Sequence, residues 1–162
     1  MLTLLILRHG KAAPEEGGSD CDRPLTHKGE RAADEVGQLL RDEQCLPDRI
    51  ITSTARRAAD TARRVAVAAH FEGPIDELDE LYLAQPEVYL AALRRLSGAA
   101  TRVLIVGHNP GLEELVLLLT GQATTLPTAG LAVCSLPIAR FADLSSGVRA
   151  KLTRQVHPKE HG

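Results

Sequence analysis

Two histidines stand where side chains can do chemistry: His9 in "LLILRHGKAA" and His108 in "VLIVGHNPGL". Each follows a run of aliphatic residues and has a glycine beside it. A lone histidine at a strand end is usually a structural hydrogen-bonder, but two in the same setting point to function. Arg8 precedes His9 directly, and Arg56 and Arg57 lie just beyond another short strand, "DRIITST". An arginine in the first turn of a helix sits badly against the helix dipole unless an anion lies nearby. One of Arg56 and Arg57 is therefore read as functional and the other as surface. Glycine turns also let backbone N–H groups and helix N-termini face a bound anion. Basic side chains from three segments, gathered at one edge, make a pocket for a phosphoryl group.

Those residues need elements that bring them together. Leu2 to Leu7 is almost uninterrupted apolar sequence, as in a central strand covered on both faces. "PEEGGSDCDRP" reads as a loop, with Thr26 as N-cap of a helix carrying Ala32, Ala33, Val36, Leu39 and Leu40 at helical spacing and ending before Pro47. A strand over "DRIITST" is followed by a helix from Arg57 to Ala69. Ile75 to Leu81 suits an edge strand, and Pro86 suits the first turn of a helix with Tyr89, Leu93 and Leu96 on one face. "RVLIVGHNPGLEELVLLL" is a buried strand, a turn and a helix, and "LAVCSLP" is a late strand. This alternation predicts a single-domain, three-layer α/β/α sandwich with a mostly parallel central sheet. The domain is placed at residues 1–155, with a frayed tail over 156–162. In such a sheet ligands bind beyond the carboxyl ends of the strands, where Arg8, His9, Ser53, Gly107 and His108 fall.

Composition narrows the function classes. Only 2% of the 162 residues are aromatic, which argues against a base-stacking surface, and the formal charge of -2 gives no global field for nucleic acid or an anionic membrane. Arg8 interrupts the N-terminal apolar run too early for a signal peptide or a spanning helix. Cys21, Cys45 and Cys134 are odd in number with no CxxC spacing, and read as reduced thiols of a cytoplasmic protein. No GxxxxGK[ST], HExxH or GxSxG motif is present, and the sequence predicts no metal or cofactor.

Four segments in order, "LRHGKA", "DRPLTHKG", "STARRAADT" and "VLIVGHNPGLEELVLLLTG", resemble the histidine phosphatase superfamily, in particular its short phosphohistidine phosphatase (SixA-like) branch. The resemblance covers essentially the whole chain and implies a phosphoglycerate-mutase-like fold. It implies His9 as nucleophile, Arg8 as its neighbouring phosphate ligand, Arg57 as the second phosphate-binding arginine, His108 as the second histidine and Arg23 as a further phosphate ligand. Thr54 stands where many relatives have proline. Glu80, in "DELDELYLAQ", falls where mutase-like members keep a general acid, against the alternative of a surface carboxylate. The implied activity is metal-independent hydrolysis of protein phosphohistidine through a phospho-His9 intermediate, without nucleic-acid or membrane partners. A small-molecule phosphomonoesterase or mutase on the same scaffold is the alternative, and a non-catalytic phosphate-binding module is the third reading.

Overall fold

The apolar run at the N-terminus becomes the centre of the sheet because it has no polar face to give to water. In the computed structural model, which describes residues 1–14, 17–96 and 98–158, β1 (Leu2–Arg8) buries Leu4, Leu5, Ile6 and Leu7 almost completely. Side chains alternate across a strand, so Leu2, Leu4 and Ile6 pack into one core cluster and Leu5 and Leu7 into the other. Helices cover both faces. α1 (His27–Asp42) and α2 (Arg56–Ala69) close the side of Leu5 and Leu7, while α3 (Pro86–Arg94) and α4 (Gly111–Thr120) close the side of Leu4 and Ile6. The three-layer α/β/α sandwich holds.

Among the described residues the sheet has six strands in the order β3-β2-β4-β1-β5-β6, where β2 is Arg49–Ser53, β3 Ile75–Leu78, β4 Arg102–Gly107, β5 Leu131–Leu136 and β6 Lys151–Val156. β3, β2, β4 and β1 run parallel, and β5 runs antiparallel to both β1 and β6. The sheet is thus mostly parallel, with β5 reversed. Three strands that carry candidate residues at their C-terminal ends are consecutive in it: β2, β4 and β1. Pairing of Arg8 with Gly107, and the bond from His9 N–H to the Gly107 carbonyl at 3.1 Å, bring His9 and His108 to the same level.

Local chemistry sets the element ends. Thr26 caps α1 by accepting the Gly29 N–H at 3.0 Å, and Gly121 ends α4 in the left-handed conformation. The strand expected over Ile75 to Leu81 stops at Leu78, because the chain turns into a single 3-10 turn over Asp79–Leu81. Leu96 lies beyond α3, which ends at Arg94, yet still packs on the core. β6 is an edge strand that the sequence reading did not anticipate. Its mixed exposure leaves no clean alternation to read, and Val156, assigned to the tail, pairs with Leu131. Of the expected tail, residues 159–162 lie outside the described residues. Among the described residues no helix is long and apolar enough to cross a membrane.

α1 and α2 approach closely at Gly37, where an added Cβ would lie 2.5 Å from the Val65 carbonyl oxygen and 2.7 Å from Ala68 Cβ. Gly37→Ala is therefore expected to lower stability by roughly 1–3 kcal/mol, the usual cost of overpacking, although alanine is the better helix former. Urea unfolding of the two proteins measures this directly; an unchanged midpoint would contradict the packing.

Candidate active site

The site is assembled at the carboxyl edge of the parallel strands. His9 follows β1 and is 8% exposed; His108 follows β4 and is 1% exposed. Their ring centroids are 5.2 Å apart. His9 Nδ1 lies 2.7 Å from the Gly10 carbonyl oxygen. A carbonyl can only accept, so Nδ1 carries the proton and Nε2 keeps the lone pair. Burial pushes the His9 pKa down to about 4; the Gly10 hydrogen bond opposes this, and the positive fields of Arg57, Arg8 and Arg23 add to it. His108 is pushed down to about 3, again by burial first and then by His9 and Arg57. Both rings are neutral at pH 7.

Arg57, in the first turn of α2, is 4% exposed, whereas Arg56 beside it is mostly exposed and paired with Asp60. Of the two, Arg57 is the one buried against the rest of the site. Asp20 is what holds Arg57: its carbonyl oxygen accepts from Arg57 Nη1 at 2.8 Å and its Oδ2 from Nη2 at 2.9 Å. The other carboxylate oxygen accepts from Arg23 Nη1 at 3.1 Å, while Arg23 Nε donates to the Ala13 carbonyl at 2.8 Å. The Tyr82 hydroxyl donates a short hydrogen bond to Asp20 Oδ2. That bond, with the two arginines, holds the Asp20 carboxyl well below the usual carboxylate range, and raises the Tyr82 phenol to about 12. Tyr82 in turn sets its ring edge-on to His108, 5.5 Å between centroids, and under the Arg57 guanidinium.

Arg8 is fixed from the other side. Its Nη1 donates to the Leu126 carbonyl at 3.1 Å, which also accepts from Asn109 Nδ2 at 2.9 Å, and Glu113 Oε2 accepts the Leu126 N–H at 2.6 Å. Burial lowers the Arg8 pKa, and the charge of Glu113 opposes that shift. Thr61 links the two halves: its Oγ1 accepts the Gly10 N–H at 3.0 Å and donates to the Arg57 carbonyl at 2.6 Å. The glycines beside the histidines serve space, since neither has a positive φ. A Cβ on Gly10 would meet the Gly29 carbonyl at 2.8 Å, and one on Gly107 would run into the Tyr89 phenol.

The structure thus brings together Arg8, His9, Arg23, Arg57 and His108. The Glu80 carboxylate is nearly half exposed and pairs with Arg95 at 3.3 Å, at the C-terminal end of α3. Sequence reasoning missed Asp20, Tyr82 and Tyr89. The last accepts the His108 N–H on its hydroxyl at 3.1 Å. One signal was available: the chain has just two tyrosines, and both touch His108. Among the described residues no group of three or more His, Cys, Asp or Glu side chains is arranged to hold a metal ion.

A family model for the histidine phosphatase superfamily (branch 1) matches residues 4–82. An uncharacterized protein of Mycobacterium tuberculosis is 31% identical over 155 residues, covering 89% of this chain and 95% of that protein. An Agrobacterium tumefaciens structure provisionally named as the phosphohistidine phosphatase SixA is 30% identical, with a TM-score of 0.83 over 97% of this chain and 98% of its own. A Nakamurella multipartitia structure with the same provisional name is 29% identical, with a TM-score of 0.85 over 97% and 96%. On these similarities the chain belongs to the histidine phosphatase superfamily, and its enzymatic class is phosphatase.

Burying two neutral histidines makes folding pH-dependent. The unfolded chain protonates them near 6.5, the folded one only near 4 and 3, so between these values the unfolded state holds more protons. Stability is expected to fall as pH drops from about 6.5 towards 4, by up to about 1.4 kcal/mol per pH unit for each histidine. Urea unfolding across this range should show that slope in the wild type and a shallower one in His9→Gln; equal slopes would contradict the burial.

Proposed function

We propose that this phosphatase hydrolyses phosphohistidine on protein substrates, with His9 as nucleophile. The observation that carries the reading is the pairing of His9 Nδ1–H with the Gly10 carbonyl, which leaves a neutral ring with its Nε2 lone pair free beside buried Arg57. Phosphoryl transfer asks for alignment and charge neutralisation more than for covalent work by the protein. In this reading Arg8, Arg57 and Arg23 bind the phosphoryl oxygens with their unused N–H groups, and neutral His108 donates a further hydrogen bond.

His9 Nε2 attacks phosphorus as the substrate P–N bond breaks. The electron pair of that bond stays on the leaving imidazole, whose other ring nitrogen takes its proton from solvent, so no internal acid is required. Water then attacks phospho-His9, releasing orthophosphate, returning the lone pair to Nε2 and delivering the spare proton to solvent. Glu80, tied to Arg95, is left without a required part in this step. The connections after β2 and β4 are short, residues 54–55 and 108–110, while the longer β1–α1 connection carries Asp20 and Arg23 to the site.

The test is turnover of a phosphohistidine peptide against an alkyl phosphate, with EDTA present. The peptide should be preferred, and His9→Ala should lose on the order of a thousandfold or more. Glu80→Gln should stay far short of the roughly hundredfold loss that removing a working general acid brings. Full turnover by His9→Ala would overturn the mechanism. Preference for the alkyl phosphate with loss in Glu80→Gln would make the enzyme a small-molecule phosphatase on this fold.

A further inference from the structure

Ser53 closes β2 and is fully buried, yet nothing in the reaction above uses it. Its hydroxyl oxygen accepts the Ala55 N–H at 3.2 Å and lies 2.8 Å from His108 Nε2. A serine hydroxyl has one proton to give and two lone pairs. The Ala55 N–H takes one lone pair, and of the groups bonded to this oxygen only His108 Nε2 can accept the proton. Were Nε2 protonated instead, two donors would point at the same oxygen and the buried O–H would lack an acceptor, at a cost of about 1–3 kcal/mol.

We infer that Ser53 is a positioning residue: its O–H donates to His108 Nε2, locks the neutral ring as the Nδ1–H tautomer, and so presents Nδ1–H as the free donor of the site. A second observation agrees. His108 Nδ1 is buried and has no hydrogen-bond partner among the described residues. An unpartnered N–H in a dry site costs free energy in the empty protein and regains it when an anion arrives. The ring is packed in place: His108 is 1% exposed, with the rings of His9 and Tyr82 at 5.2 and 5.5 Å between centroids. The two histidines then complement each other. Both carry their proton on Nδ1, but His9 spends that proton on Gly10 and keeps a lone pair, whereas His108 spends its lone pair on Ser53 and keeps a proton. One offers a nucleophilic nitrogen and the other a donor, without either being charged.

The tautomer stands apart from the substrate assignment, although the use of Nδ1–H as a phosphate donor rests on the proposed function. The first experiment is nitrogen-15 NMR of the histidine rings at pH 7, with His108 assigned by its absence in His108→Gln. Protonated Nδ1 and bare Nε2 on His108 are expected in the wild type. In Ser53→Ala the ring should shift towards Nε2–H, and Ser53→Thr should restore the wild-type pattern. Affinity for inorganic phosphate, read by titration, should fall about tenfold in Ser53→Ala and recover in Ser53→Thr. Protonated Nε2 in the wild type overturns the inference even if Ser53→Ala fails to fold. Phosphate affinity unchanged in a folded Ser53→Ala also overturns it. Loss of phosphohistidine turnover in the wild type, with the Nδ1–H pattern intact, would instead remove only the proposed substrate.

Discussion

Three parallel strands ending at one level are the constraint on which the rest of this molecule depends. β2, β4 and β1 lie side by side, and their register places Ser53, His108 and His9 at a common edge. Backbone pairing fixes that level, and side-chain burial fixes the faces: shifting β1 by one residue would turn Leu4 and Ile6 away from their core and rotate Arg8 and His9 with them. The hydrophobic core and the position of the chemistry are therefore set by the same interaction. A site built on strand ends of a sheet covered on both faces inherits the rigidity of that sheet.

Electrostatics within this frame follow from dryness. A guanidinium as buried as that of Arg57 needs a counter-charge, and Asp20 supplies it through both its carboxylate and its backbone carbonyl. The same carboxylate holds Arg23 and Tyr82, so one acidic residue organises two arginines and an aromatic ring. The histidines respond in the opposite way. With arginines near and water excluded, protonation is unfavourable, and both rings stay neutral. The site is thus cationic through groups that cannot lose their charge, while its imidazoles are kept free for lone-pair and donor roles.

Much of this was legible from the chain. The apolar runs of β1 and β4, the helical stripes of α1 and α2 and the cap at Thr26 are local patterns, and the structure repeats them nearly residue for residue. Arg8, His9 and His108 were legible because they stand at the ends of strands whose pattern is clear, whereas Arg57 was separated from Arg56 only by the resemblance to the family. β6 was not, since Lys151, Thr153 and Arg154 stay exposed along it and its sequence alternates with nothing. Glu80 was placed by its position in the chain alone, and the 3-10 turn over Asp79–Leu81 leaves it paired with Arg95.

The sequence by itself determined which residue types would stand at the strand ends, because periodicity, turn chemistry and motif spacing act over a few residues at a time. Tertiary structure decided what each of them could do. Ser53 meets His108, Asp20 meets Arg57 and Tyr82, and Tyr89 meets the His108 backbone only after the sheet has closed. Protonation state and tautomer depend on burial and on single hydrogen bonds between such distant positions. No local pattern in the chain encodes either, so the reactivity of His9 and His108 belongs to the fold.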